Sequence, residues 1–258
     1  DVNSTGSYNV GIGNNALGAN LASNNVAVGT ACMEANTTGT SNVSVGYAAL
    51  NGNTTASYNT GIGTSALQSN STGASNTALG QGALYANTTA SNNTAVGKDA
   101  LTSSTTGPNN VAIGSNALAA NTTGESNTAI GYQSLDASTT ASNNVAVGTS
   151  TLTANTSGAR NVAVGAPALD ANTTGADNTG IGFGALTAAT TGGSNTAVGS
   201  YALTANTTGA NNTAIGFEAG IAGSPGGAVT TGDNQVCIGD ENVTNAHIQV
   251  DWTIASDA

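Results

Sequence analysis

One five-residue motif, Asn-(Val/Thr)-small-(Val/Ile/Leu)-Gly, recurs thirteen times along the chain, and its spacing leaves few folds open. The closing glycines are Gly13, Gly29, Gly46, Gly63, Gly80, Gly97, Gly114, Gly131, Gly148, Gly165, Gly182, Gly199 and Gly216. The first step is 16 residues and every later one is 17; a degenerate fourteenth copy closes at Gly239 after a step of 23. Low charge (6%) and few aromatics (3%) would on their own permit a disordered chain. A disordered tract has no reason to hold an aliphatic position in register over so many copies, so the repeat decides for order.

Counted from the glycine, the residue four before it is Asn in all thirteen regular copies, and the residue one before it is always aliphatic. Three before it stands Val or Thr, and between these two lies Ala, Gly or Ser. Four after it is Leu in most copies, with Met33 and Gly220 the exceptions. An Asn-Thr-Thr-Gly stretch or a close variant follows, as at 121–124. Val145 and Val147 alternate with Ala146, which reads as a short strand with the two valines on the inner face. The glycine then permits a tight bend. A second short extended segment carrying Ala and Leu is expected next, and the Asn-Thr-Thr-Gly stretch turns the chain back. No window carries a helical apolar stripe with capping signals.

Seventeen residues holding two short strands and two turns make one coil of a solenoid. The expected fold class is therefore all-β: a parallel β-roll or β-solenoid of about fourteen coils, roughly 60 Å long at the spacing of paired strands. The row Asn25, Asn42, Asn59, Asn76, Asn93, Asn110, Asn127, Asn144, Asn161, Asn178, Asn195 and Asn212 would stack as a ladder of side-chain amides. The roll domain spans 1–221. Residues 222–258 hold a Gly/Pro-containing insertion, the last degenerate coil and a C-terminal transition. So thin a roll buries few large side chains per coil, and covering a second face with sister chains would help it. An oligomer is expected on that ground.

The motifs Asn-Val-Ala-Val-Gly at 144–148 and Asn-Thr-Ala-Ile-Gly at 127–131 resemble the head repeats of trimeric autotransporter adhesins. That resemblance implies a left-handed parallel β-roll assembled as a homotrimer. The 17-residue form, with Ala-Leu-x-Ala-Asn-Thr-Thr-Gly after the glycine, also resembles repeats of phage tail fibres. The adhesin repeat is typically shorter, so the chain departs from that pattern in its turn. The end of the chain, from Trp252 through Ser256 and Asp257 to Ala258, is similar to the start of the intramolecular chaperone domain that terminates many phage tail spikes and fibres. In that family the chaperone helps three chains to trimerise and self-cleaves beside the Ser. The resemblance thus marks Ser256 and Asp257 as the cleavage point, although the basic residues that follow in the family motif lie beyond Ala258.

Composition excludes other classes. Lys98 and Arg160 are the only basic residues and the net charge is −11, so neither nucleic acid nor an anionic membrane surface is an expected partner. No apolar run is long enough to span a bilayer as a helix. Opening at Asp1 without Met, the chain reads as a piece of a longer or processed protein. Cys32 and Cys237 replace small residues at aligned positions twelve coil steps apart, roughly 58 Å at the strand spacing. That is too far for a disulfide within the chain. His247, the one histidine, has no Cys/His cluster about it, and Gly11-Ile12-Gly13 precedes no helix, so neither metal nor phosphate binding is expected. The 13 acidic residues are scattered and not paired for glycoside hydrolysis. No cofactor and no enzymatic activity are expected. Asn-x-Ser/Thr sites such as Asn36 and Asn121 are read as turn-formers rather than glycosylation sites.

Bulky residues vary just after the glycine, at Tyr47, Tyr132, Phe183 and Phe217, with Tyr201 one position further. These five are the candidate receptor-binding residues, since an aromatic ring stacks on sugar faces and a Tyr also hydrogen-bonds at its tip. The expected function is structural and adhesive: the shaft or head of a trimeric phage tail fibre on the virion, meeting a host cell-surface glycan or protein. The alternative is an extracellular adhesin head on a bacterial cell surface. A third class, an ice-binding solenoid, rests on a row of Thr60, Thr77, Thr94 and Thr128 that Val111, Val145 and Val162 interrupt.

Overall fold

The computed structural model describes residues 6–224 and 227–244. His247, Trp252, Ser256 and Asp257 lie outside the described residues. The chain is an all-β parallel solenoid with no helix among the described residues. Fourteen strands of three residues, from Val10–Ile12 to Val236–Ile238, form one sheet in strict chain order. Every strand pairs in parallel and in register with the next, so Ile130, Val147 and Val164 stand in a single file. The register passes through the long step as well: Ile215 pairs with Ile238.

Each coil holds one strand, not two. The Ala-Leu segment is a turn in which backbone of opposite hand alternates. In the regular copies the residues two and four after the glycine have positive φ, as at Ser65 (57°) and Leu67 (53°), with Pro167 the exception. No extended strand tolerates that alternation, so the expected second strand is absent. Bonding between coils continues nonetheless: Leu67 N–H donates to Ala83 O at 3.0 Å, and Ser65 N–H to Tyr47 O at 2.9 Å. Left-handed backbone is unfavourable for Leu. It is held because it turns the side chain into the roll, where Leu67 is fully buried.

The strand faces are the reverse of the sequence expectation. Ala146 is fully buried, whereas Val145 is 36% exposed and Val147 half-buried. The same pattern runs from Val26–Val28 to Thr213–Ile215. The interior is a file of Leu side chains, with Met33 among them, between two columns of small residues. One column comes from the strand centres, the other from the residue before each Leu. The reason is lateral room. An ideal Cβ built on Gly61 lies 3.2 Å from Leu50 Cγ, and one on Gly180 lies 3.3 Å from Leu169 Cδ1. The Leu of one coil thus occupies the space in front of the next strand, leaving room there for no more than Ala, Ser or Cys.

The closing glycines have φ between 118° and 141° through Gly216. A Cβ on Gly131 would lie 2.6 Å from the carbonyl carbon of Gly148 in the next coil. Both the backbone conformation and the stacking distance therefore demand glycine.

Candidate binding surface

Two features face outward. The first is the outer side of the sheet, a continuous file of Val, Ile, Leu and Thr. Ile130 (37%), Ile181 (40%) and Ile215 (48%) are exposed, as are Leu79 and Val198. Thr60, Thr77, Thr94 and Thr128 stand in this file, flanked in register by Val111, Val145 and Val162. So long an apolar stripe on one side of a rod is more than the scattered exposed side chains any surface carries.

The second feature is aromatic. Phe183 follows the strand Thr179–Ile181 and its glycine, Tyr201 follows Thr196–Val198, and Phe217 follows Thr213–Ile215. Three successive coils thereby bring three rings together. Phe183 and Tyr201 meet edge to face with centroids 5.3 Å apart, and Tyr201 and Phe217 do so at 6.5 Å. Tyr201 can lie over its neighbouring coil because residue 184 is glycine: a Cβ there would sit 2.9 Å from Tyr201 Cδ1. The Tyr201 N–H donates to Phe183 O at 2.8 Å, so backbone pairing holds the ring spacing. All three remain exposed, at 52%, 41% and 55% in chain order. Tyr47 and Tyr132, the other two aromatic candidates, are exposed on coils of their own, outside this cluster.

Sequence reasoning passed over Tyr8, Tyr58 and Tyr85, which are also exposed. Tyr8 and Tyr58 occupy the position just before the invariant Asn, where every coil has positive φ. That variable position also carries Arg160 and Asp177. The Arg160 guanidinium donates to both Asp177 oxygens, at 2.6 and 2.8 Å. This bidentate bond holds the Asp177 carboxyl below its usual range. Lys98 Nζ lies 3.4 Å from Asp99, so both basic residues stand beside carboxylates. The rod surface is otherwise acidic or neutral.

The Asn row is aligned, but its bonds are not chiefly amide to amide. Asn144 Oδ1 accepts from the backbone N–H of Asn161 at 2.9 Å, and Asn144 Nδ2 donates to Gly158 O at 3.0 Å. The side chain thus ties each strand entrance to a turn of the next coil. Direct amide contacts occur only in places, as from Asn161 to Asn144 at 3.2 Å. A second Asn file, from Asn20 and Asn36 in the Asn-Thr-Thr-Gly turns, is fully buried and does bond amide to amide, as from Asn53 to Asn36 at 2.9 Å. The first Thr of that turn forms a further ladder, Thr54 Oγ1 donating to Ser71 O at 3.1 Å. The Asn-Thr-Thr-Gly repetition was the signal for both.

Cys32 and Cys237 are both buried and free. Burial pushes the Cys237 thiol up and raises the Asp136 carboxyl, but neither has a partner set for chemistry. Among the described residues no group of three or more His, Cys, Asp or Glu could hold a metal ion. Compared with protein-family models, curated proteins and solved structures, the chain matches none.

Proposed function

We propose that this chain is a structural and adhesive fibre element, three copies of which pack through the aliphatic faces of their sheets. The observation that carries this reading is the outer face itself: an apolar file running the length of a rod whose own interior is narrow and filled largely by Ala and Leu. The occupant we assign to that face is a second and third copy of the same chain. Identical files on parallel copies match along their full length, which no partner without this repeat would do. The aromatic cluster of Phe183, Tyr201 and Phe217, with Tyr47 and Tyr132 as outlying contacts, then meets the receptor. Exposed rings on successive coils, with centroids 5.3 and 6.5 Å apart, suit contact with sugar units in a cell-surface glycan. A phage tail fibre is the setting we favour, because the 17-residue form of the repeat resembles that class more than the shorter adhesin repeat. A bacterial adhesin head is the second reading.

Light scattering on the purified chain tests the assembly. A mass three times the 24.6 kDa of the chain is expected, and a stable monomer would refute it. Ile130→Asp should yield folded monomers. Adsorption to host cells or glycan arrays tests the surface: Tyr201→Ala should weaken binding, and unchanged binding would remove the aromatic cluster from the site.

A further inference from the structure

The second, inner Asn file is interrupted, and the interruptions are chemically specific. In coil order it reads Asn20, Asn36, Asn53, Asn70, Asn87, Ser104, Asn121, Ser138, Asn155, Asn172, Ala189, Asn206, Val229. Wherever two Asn are adjacent, the upper amide donates to the oxygen below: Asn36 to Asn20 at 2.6 Å, Asn70 to Asn53 at 3.0 Å, Asn87 to Asn70 at 2.7 Å, Asn172 to Asn155 at 3.1 Å. Wherever the next member is not Asn, the oxygen below is buried without a partner in the protein. These are Asn87, Asn121, Asn172 and Asn206 Oδ1. Ser104 Oγ and Ser138 Oγ are likewise buried and unpartnered. Buried polar groups are rarely left so.

We propose that Ser104 and Ser138 each hold one buried water molecule in place of the missing carboxamide. Serine carries a hydroxyl where Asn carries a carboxamide and so is smaller by two heavy atoms, a difference of about the share of liquid volume that one water takes, ~30 Å³. The partners are present. Below Ser104, Asn87 Oδ1 needs a donor. Beside it, Ser104 Oγ both donates and accepts. Above it, Asn121 Nδ2 carries two hydrogens and spends one on Gly124 O at 3.0 Å. Ser138 repeats the arrangement with Asn121 Oδ1 below and Asn155 Nδ2 above, the latter donating to Gly158 O at 2.9 Å. Water and hydroxyl together relay the ladder across the short side chain, with the roughly three bonds that buried waters make.

The other two breaks lack this set. Ala189 offers no hydroxyl, and the amide above it, Asn206 Nδ2, turns instead to Asn195 Oδ1 at 3.3 Å. At the last break Val229 fills the position with an apolar side chain that is 1% exposed. The water sites therefore belong to the serine coils.

A crystal structure of the full chain, at a resolution that shows ordered solvent, should place one water within hydrogen-bond distance of Asn87 Oδ1 and Ser104 Oγ, and another at Asn121 and Ser138. Ser104→Asn should expel its water, donate directly from the new carboxamide to Asn87 Oδ1 and raise the unfolding midpoint by about 2–4 °C. A serine hydroxyl bonded directly to the Asn oxygen with no water between would overturn the proposal, as would a lowered midpoint in the Ser104→Asn variant. Should that variant not fold, cross-relaxation from a long-lived water to the Asn87 side-chain amide in the unaltered protein decides, and its absence counts against the site.

Discussion

The N–H of Val229 donates to the carbonyl of Gly220 at 3.0 Å, the same bond that joins Asn206 to Leu203 at 3.1 Å one coil earlier, though the intervening loop is six residues longer. The long step therefore leaves the coil at one fixed bond and re-enters it at the same bond. Thr207 Oγ1 then donates to Thr230 O at 3.1 Å and Asn212 Nδ2 to Gly232 O at 2.8 Å, as their counterparts do elsewhere. The loop is an excursion from the solenoid and does not end it.

Ser224 anchors that excursion. Its Oγ accepts from the N–H groups of Gly220 at 2.8 Å and Ile221 at 3.1 Å, and donates to Glu218 O at 3.1 Å. Ser224→Ala should destabilise the last coil by about 1–3 kcal/mol, the cost of leaving the buried Gly220 N–H and its half-buried neighbours unpaired. Hydrogen exchange at the Gly220 amide is the measurement: faster exchange is expected, and unchanged protection would contradict the assignment.

Gly180 and Gly182 stand two residues apart and should respond to alanine in opposite directions. At Gly180 the φ is ordinary, the nearest obstacle is the flexible Leu169, and most coils already carry Ala there. Gly180→Ala should stabilise by about 0.4–1 kcal/mol through the unfolded chain. At Gly182 the φ is 137° and a new Cβ would lie 2.5 Å from the carbonyl carbon of Gly199. Gly182→Ala should cost on the order of 3 kcal/mol or more. Denaturant midpoints of the two variants, measured side by side, would expose an error in either.

Leu152 and Val147 separate the interior from the outer face. Leu152 is fully buried, so Leu152→Ala should cost about 2–5 kcal/mol. Val147 is half-buried in a single chain, so Val147→Ala should cost less than about 1 kcal/mol there. A larger loss at Val147, appearing only at protein concentrations where copies associate, would be the signature of a covered face.

Asn144→Ala removes the acceptor of the Asn161 N–H, which lies inside the roll. A loss of about 1–3 kcal/mol is expected. Gly158 O keeps a second donor in Asn155, so the damage should be confined to the strand side. Exchange rates at the Asn161 backbone N–H and at the Asn155 side-chain amide that donates to Gly158 O would show whether it is.

Arg160 lowers the Asp177 carboxyl through their bidentate bond. A depressed folded-state value means that any stabilisation is present at neutral pH and is lost as pH falls through the acid range. Both groups are exposed, so the effect belongs to titration more than to stability. In Arg160→Ala the Asp177 resonance should titrate at a higher pH than in the unaltered protein; coincident titration curves would contradict the pairing.

Much of this architecture is legible in the residues alone. A strict 17-residue period with Asn, an aliphatic residue and Gly at constant places dictates stacked coils, parallel strands and their register, because only that arrangement gives every copy the same surroundings. The positive φ and close backbone stacking at Gly131 or Gly148 follow from the same constancy. Which face of the strand turns inward does not. An alternation of Val, Ala, Val has period two and looks alike from either side. The choice was made across the roll, where Leu135 and its equivalents enter from left-handed turns and fill the interior, leaving space on the strand for Ala146 and pushing Val145 and Val147 outside. The meeting of Phe183, Tyr201 and Phe217 likewise depended on the third dimension, since residues 18 and 16 apart become neighbours only when coils stack.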